Sequence, residues 1–378
     1  MNKMPALLSA LALIPAGTAL ASGFQSLEQN ASGLGVAYAG SAAVADNAST
    51  IYYNPAGMTL LPARQVSLGI AGVRHRYEFN NHGSFGSTGG DGGDAGAWRA
   101  QPNAYLSWAV APDWVVGVGI SSPYGLHTDY DEDWRGRSFG VETRLRTLNV
   151  NPSVAYRVSD KVSLGFGLNY QKLKLETDWV NDAGQKLHSA DDDSAWGWNA
   201  GALLTLSPAM RVGVTYRSAL QYDLNDTPRF QGVDADGDLK TPGTFTLSVW
   251  QQVSERWEAM GDLSYTRWKT VDDYEHDGWR VAWGAAYTYN SQWKSKFGLA
   301  YEHGPLRHQR TAMLPDHHRL WLTLGGQYRL GKSAALDFGY AYQWVKDPDI
   351  DQRNGGVRLK GDYDASGHVI GVQYTQDF

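Results

Sequence analysis

The chain has 378 residues, a formal net charge of −6, no cysteine, 43 glycines, 15 tryptophans and 21 tyrosines. The charge argues against a nucleic-acid partner, which needs concentrated positive charge; the missing thiols exclude disulfide frameworks, cysteine metal sites and thiol nucleophiles. Beyond residue 21 no stretch offers the ~18 consecutive apolar residues of a spanning helix, and few charges with abundant Gly, Trp and Tyr suit the wall of a transmembrane β-barrel.

In chain order, Lys3, the apolar run Ala6–Ile14 and Ala19-Leu20-Ala21 form a secretory signal peptide over residues 1–21. Cleavage is expected after Ala21, and without a cysteine there is no lipoprotein anchor. A barrel exported this way belongs in a bacterial outer membrane. Residues 22–62 follow. They are small and Gly/Ala-rich, with a turn at Asn54-Pro55. Phe24, Leu27, Leu34, Val36, Tyr38, Ile51, Tyr52 and Tyr53 make them too apolar for a periplasmic tail, so the segment is expected inside the barrel as a plug.

From residue 64 the pattern has period two. Leu164, Phe166, Leu168 and Tyr170 point one way, and Ser163, Gly165, Gly167 and Asn169 the other. Tryptophan or tyrosine closes most apolar faces, as in an interfacial belt. Fourteen runs are expected as strands: 64–79, 98–111, 114–126, 143–158, 161–177, 195–206, 210–223, 242–253, 256–269, 279–290, 293–303, 318–330, 334–345 and 363–378. Short turns alternate with long polar loops at about 80–97, 127–142, 178–194, 224–241, 270–278, 304–317 and 346–362; the short side is periplasmic. The fold class is therefore all-β: a fourteen-stranded antiparallel transmembrane barrel over 63–378 with an N-terminal lumenal hatch. The terminal Phe378 resembles the C-terminal aromatic by which barrels are recognised for outer-membrane assembly.

Several blocks resemble the FadL/TodX family of outer-membrane transporters for long-chain fatty acids and other hydrophobic compounds. They are Ser22-Gly23-Phe24-Gln25, Ser32-Gly33-Leu34-Gly35, Ala37-Tyr38-Ala39-Gly40, Ala45-Asp46-Asn47-Ala48 and Asn54-Pro55-Ala56, then Ser121-Ser122-Pro123-Tyr124-Gly125-Leu126 and Pro315-Asp316-His317-His318-Arg319-Leu320-Trp321. The resemblance covers essentially the whole mature chain. It implies a monomeric channel without catalytic residues or cofactor. Ligand would bind in the lumen and leave sideways, without energy input, through a gap at an inward kink in the third strand. That kink is expected within Gly117–Gly125, taking in Gly117, Gly119, Ser121, Ser122, Pro123 and Gly125. Two glycines lack Cβ there and Pro123 cannot donate to a ladder. Phe24, Asn54, Pro55 and Ala56 are the expected hatch contacts, the last three as partners for the backbone opened by the kink. One departure from the family is the third extracellular loop, 178–194, which is short and acidic where the family can carry a long helical one that forms an external groove.

A fatty acid needs a polar partner for its carboxylate. Parity turns Arg217, Arg280 and Arg319 into the lumen, where lumenal acids such as Glu258 and Asp262 compete for them. Family comparison adds Lys174, although strict parity turns it outward, towards lipopolysaccharide phosphates. No metal site is expected: Asp234–Asp238 lacks the glycine and closing glutamate of a calcium loop, and the adjacent His317 and His318 would point apart on a strand. An aqueous porin would need no plug, and nothing proposes an enzyme. Fatty acids and aromatic hydrocarbons stay open as substrates, because both need an apolar lumen.

Overall fold

The computed structural model describes residues 23–181, 183–224, 230, 233, 236–306 and 310–378; the expected leader, and Ser22, lie outside the described residues. Among the described residues there are eighteen strands: β1 (Arg64–Asn81), β2 (Trp98–Ala111), β3 (Trp114–Ser121), β4 (Gly125–Asp129), β5 (Glu142–Ser159), β6 (Val162–Val180), β7 (Lys186–Ser207), β8 (Met210–Arg217), β9 (Leu220–Asp223), β10 (Asp238–Thr241), β11 (Thr244–Gln252), β12 (Trp257–Thr266), β13 (Gly278–Thr288), β14 (Trp293–His303), β15 (Arg319–Arg329), β16 (Ala334–Val345), β17 (Asp349–Asn354) and β18 (Val357–Asp377). Neighbours pair antiparallel around the ring, and β1 pairs with β18 from Gln65↔Asp377 to Asn81↔Gly361, which closes it. With β3 and β4 sharing one stave, and β9, β10 and β17 outside the ring, the barrel has fourteen staves. Closure leaves no free edge, which a spanning sheet in lipid requires.

The outer wall carries the apolar residues. Leu164, Phe166, Leu168 and Tyr170 are exposed, while Ser163 and Asn169 are buried in the lumen. Trp114 meets Tyr156 with ring centroids 4.6 Å apart at the periplasmic ends of their strands, and Tyr170 meets Trp196 at 5.0 Å towards the other rim. These are the two aromatic belts.

Several loop boundaries differ from expectation. The ladder between β6 and β7 runs to Val180↔Lys186, so most of 178–194 is a strand hairpin that rises above the outer belt. Its outward acids pair with outward bases across the ladder, as in Lys172–Asp192 at 2.7 Å, and so support extended structure where polarity alone suggests a loop. The last stave begins at Val357 because β17 pairs with it. The run 210–223 is broken after Arg217, and β9 leaves the wall to pair with β10.

Residues 23–62 thread the lumen. A 3-10 turn at Leu34–Val36, the helix α1 (Thr50–Tyr53) and a second 3-10 turn at Pro55–Leu60 are separated by turns. Inward glycines let hatch backbone lie against the wall. A Cβ on Gly165 would stand 2.2 Å from the Ala56 amide nitrogen, one on Gly213 1.9 Å from the Ala42 carbonyl oxygen, and one on Gly325 2.7 Å from the Gly35 Cα. Polar contacts pin the same path. Lys296, buried with Asp337 at 2.8 Å, donates to the Ser32 carbonyl at 2.8 Å, and Ser41 donates to Asp262 at 2.8 Å. Ala37, Tyr38 and Ala45 hold left-handed backbone (φ 50, 56 and 46) inside this packing. Such strain persists only where the surroundings over-determine it.

Candidate functional site

The third stave is interrupted. β3 pairs with β2 up to Ala104↔Ile120 and with β5 up to Ser121↔Asn149. Ser122, Pro123 and Tyr124 then leave the wall, and β4 resumes a ladder with β5 at Gly125↔Arg146. Nearer the outer rim the stave meets its other neighbour again, through the Gly96↔Thr128 bridge and an Asp129 N–H donating to the Ala95 carbonyl at 2.8 Å. Between these two contacts the wall holds a window, filled by a cavity of about 280 Å³ lined by Arg99, Gln101, Asn103, Ser121, Tyr124 and Thr147 among others.

The hatch closes this window from within, and its first residues do so. Gln25 bridges Tyr124, the Ser26 N–H donates to the Pro123 carbonyl at 2.8 Å, and the Gly125 N–H donates to the Phe24 carbonyl at 2.9 Å. The Gln29 amide donates to the Ser122 carbonyl at 2.9 Å and accepts from the Ser122 N–H at 3.0 Å. Asn54-Pro55-Ala56 sits elsewhere, against β6 and β7. Asn54 donates to the carbonyls of Ala42 (2.7 Å) and Ala202 (3.1 Å) and caps the Ala56 N–H. It braces the hatch and does not serve the kink. Gly117 and Gly119 likewise lie in regular ladder; they make room for Ile51 and Met58 of the hatch. The break is confined to Ser122–Tyr124 because Pro123 has no N–H and Gln29 supplies both groups that Ser122 loses. Replacing Gln29 by alanine should leave buried backbone groups unpaired, at about 1–3 kcal/mol each. Hydrogen exchange at residues 122–125 is expected to accelerate roughly ten-fold or more, with strands β14–β16 unchanged.

A second cavity, of about 80 Å³, lies between the hatch and β8, β11, β12 and β13 and is lined by Tyr52, Arg217, Thr244, Asp262, Arg280 and Glu302 among others. Arg217 points inward. Its guanidinium stands 4.2 Å over the Tyr52 ring, donates to the Tyr52 carbonyl at 2.9 Å and also donates to Asn169. Arg280 points inward, donates from Nη2 to the Ala37 carbonyl at 2.6 Å, and keeps Nε without a partner. Arg319 also faces in but is committed: it holds Asp316 by two hydrogen bonds, at 2.8 and 3.2 Å, both residues buried. Lys174 stands on the outer wall, paired with Glu176 at 2.8 Å, and does not reach the lumen, because the register of β6 carries no bulge.

Over the cavity the extracellular half of the lumen is apolar. Phe24 packs against Trp268, Tyr124 and Phe230 at centroid distances of 5.3, 5.7 and 5.7 Å, and inward leucines 145, 173 and 175 continue the cluster. The described N-terminal end of the hatch is held there, where the Gly23 N–H donates to Asp316 at 2.8 Å. Burial pushes the Asp316 carboxyl up, and Arg319 opposes that shift. Burial and the neighbouring Arg310 push His317 down to about 2, so its ring is neutral. His317 and His318 precede β15 in the loop, and their rings meet perpendicularly at 4.0 Å where strand parity would have parted them.

A closed fourteen-stave barrel with an internal hatch and a windowed third stave defines an outer-membrane transport channel. The chain belongs to the family described as outer membrane protein transport protein (OMPP1/FadL/TodX), whose model matches residues 12–378. It is 32% identical over 408 residues to outer membrane protein P1 of Haemophilus influenzae, covering 89% of each chain. It is 29% identical over 418 residues to the long-chain fatty acid transport protein of Escherichia coli K12, covering 92% of this chain and 93% of that one. Among solved structures, a Pseudomonas aeruginosa FadL homologue superposes with a TM-score of 0.83 at 22% identity, and the Pseudomonas putida toluene transporter TodX with 0.71 at 17%; each match covers 94% of this chain and 100% of the other. The protein resides in the outer membrane.

Proposed function

We propose that the protein carries long-chain fatty acids passively from the cell exterior into the outer membrane, as a channel and not an enzyme. One observation carries this reading. Gln25 lines the cavity that holds Arg217 and Arg280, and the same residue bridges Tyr124 on the rim of the window. A single hatch segment thus separates a binding site from an opening in the wall. The two guanidiniums take the carboxylate, since charge-assisted donors are the strong ones, and the apolar roof around Phe24 takes the tail. The closed cavity is well below the ~300–1,000 Å³ of ordinary ligand sites, so loading displaces Phe24 or its partners and loosens the bridge next to it.

Residues 1–21 act as the export leader. The closed ring leaves no strand edge to pair, which suits a monomer, and Arg146, Lys172 and Lys174 on the outer face above the belt meet lipopolysaccharide phosphates. Aromatic hydrocarbons by the same route are the second reading, favoured by the likeness in fold to a toluene transporter; such a ligand has no use for the arginines.

The test is oleate binding and growth. Arg217→Ala is expected to weaken oleate binding about ten-fold, as loss of one charged hydrogen bond implies, with toluene binding unchanged. A deletion strain should lose growth on oleate and keep growth on toluene. Normal oleate growth by that strain overturns the fatty-acid reading.

A further inference from the structure

The inner face of β2 beside the window gathers buried polar groups without hydrogen-bond partners. On the far wall several inward polar groups have partners: Lys296 has Asp337, Glu302 accepts from the Trp321 indole, and Thr323 donates to the Gly35 carbonyl. On β2, three successive inward residues carry buried atoms that do not. Arg99 Nη1, both amide atoms of Gln101 and both of Asn103 are buried without a hydrogen-bond partner, and so is Ser121 Oγ across the window. Gln101 is 2% exposed and Asn103 6%. All four residues line the window cavity. Arg99 reaches across it: a Cβ on Gly125 would stand 2.3 Å from its Nη1. Among the described residues no carboxylate pairs with Arg99 within 4 Å; the leading charge acting on it is the buried Glu28 of the hatch.

Orphaned buried polar groups are costly, and a cluster of them calls for an explanation. Alternate residues of a strand lie ~6.8 Å apart on one face, so the three form a file of N–H donors along the lip of the opening. The hatch satisfies the opposite lip, at Ser122, Pro123 and Gly125, through its backbone and the Gln29 amide, but not this one. We infer that Arg99, Gln101 and Asn103, with Ser121, form a head-group track that receives the carboxylate of a departing amphiphile at the window. The tail passes outward between Trp98 and the mid-wall into the membrane, while the head moves along the file. An uncharged hydrocarbon engages none of these donors, so the track makes the exit step selective for monocarboxylates. It rests on the fatty-acid reading above and adds the residues that set specificity at a site separate from Arg217 and Arg280.

The experiment compares oleate with methyl oleate, the same chain without the charge, in cells whose own uptake is deleted and in which each variant's barrel shows normal heat-modifiable mobility. Arg99→Met is expected to slow oleate uptake about ten-fold or more while methyl oleate changes less than about two-fold, and Arg99→Lys should recover part of the oleate rate. The double variant Gln101→Met, Asn103→Leu should act in the same direction. Oleate affinity of the detergent-purified protein should stay unchanged, because the track acts after lumenal binding; if methyl oleate does not enter at all, this split between binding and uptake decides. Equal losses for both compounds, lowered oleate affinity, or undiminished oleate uptake overturns the track. A wild-type protein that takes up no oleate overturns the fatty-acid reading itself, a distinct result.

Discussion

Joining Pro102 to Ser122 across the window is expected to stop oleate uptake. The β2–β3 ladder ends at Ala104↔Ile120, and continuing that register would bring Pro102 opposite Ser122. Cysteines at these positions, bridged by a short bifunctional thiol reagent, would draw the lips together; the chain has no other cysteine to compete. The physical stake is large. Each methylene kept from water is worth about 0.8 kcal/mol, so a ligand with ~16 carbons released axially would forfeit most of its binding energy, whereas one leaving through the wall stays in an apolar medium. Uptake of labelled oleate should fall roughly ten-fold or more on cross-linking and return on cleavage of the tether, with oleate binding retained because the lumenal cavity is untouched. Full uptake by a tethered, correctly assembled protein would move the route to the barrel axis.

Deleting residues 22–56 behind the leader is expected to convert a closed channel into an open one. The staves make their ladder hydrogen bonds with one another, so the barrel survives the loss. The hatch contributes Leu34, Val36, Tyr38 and Ala56 to the central apolar cluster. Without it the inner wall is left with Lys296, Asp337, Asp262 and the asparagines 149, 151, 169 and 199, a polar lining that water readily fills. Single-channel conductance should rise about ten-fold or more over the intact protein, as in a barrel whose lumen becomes an aqueous pore, and small polar antibiotics should enter faster. Unchanged conductance would mean that the lumen is sealed by the extracellular loops alone.

Much of this architecture was legible because the code of a barrel wall is local. Period-two alternation placed Ser163, Gly165 and Asn169 inside and Leu164 and Phe166 outside, and parity alone turned Arg217, Arg280 and Arg319 into the lumen and Lys174 out of it. The plug followed from aromatic residues too apolar for a tail. Loops were less legible: polarity above the outer belt does not separate a loop from a ladder whose facing residues carry opposite charges, and 178–194 is mostly such a ladder. The third stave is interrupted only at Ser122–Tyr124, since an inward glycine signals close approach of another chain as readily as a broken strand. Gly117 serves Ile51 and Met58, while Pro123 marks the break. Pro102 in the middle of β2 is a companion signal, because proline sits in sheets at unpaired edges.

The amino-acid sequence by itself determined the export leader as an expectation, the number and facing of the staves, and the existence of a lumenal hatch, since each depends on neighbours along the chain or on composition. Only the tertiary structure decided what the hatch touches. That Gln29 and Phe24 close the window while Asn54 lies against β7, that Arg217 and Arg280 share a cavity, and that atoms of Arg99, Gln101 and Asn103 stand without partners all depend on how residues tens to hundreds of positions apart are placed. Such contacts are set by how a glycine-lined wall and a folded plug fill one volume, and alternation along a strand carries no record of them.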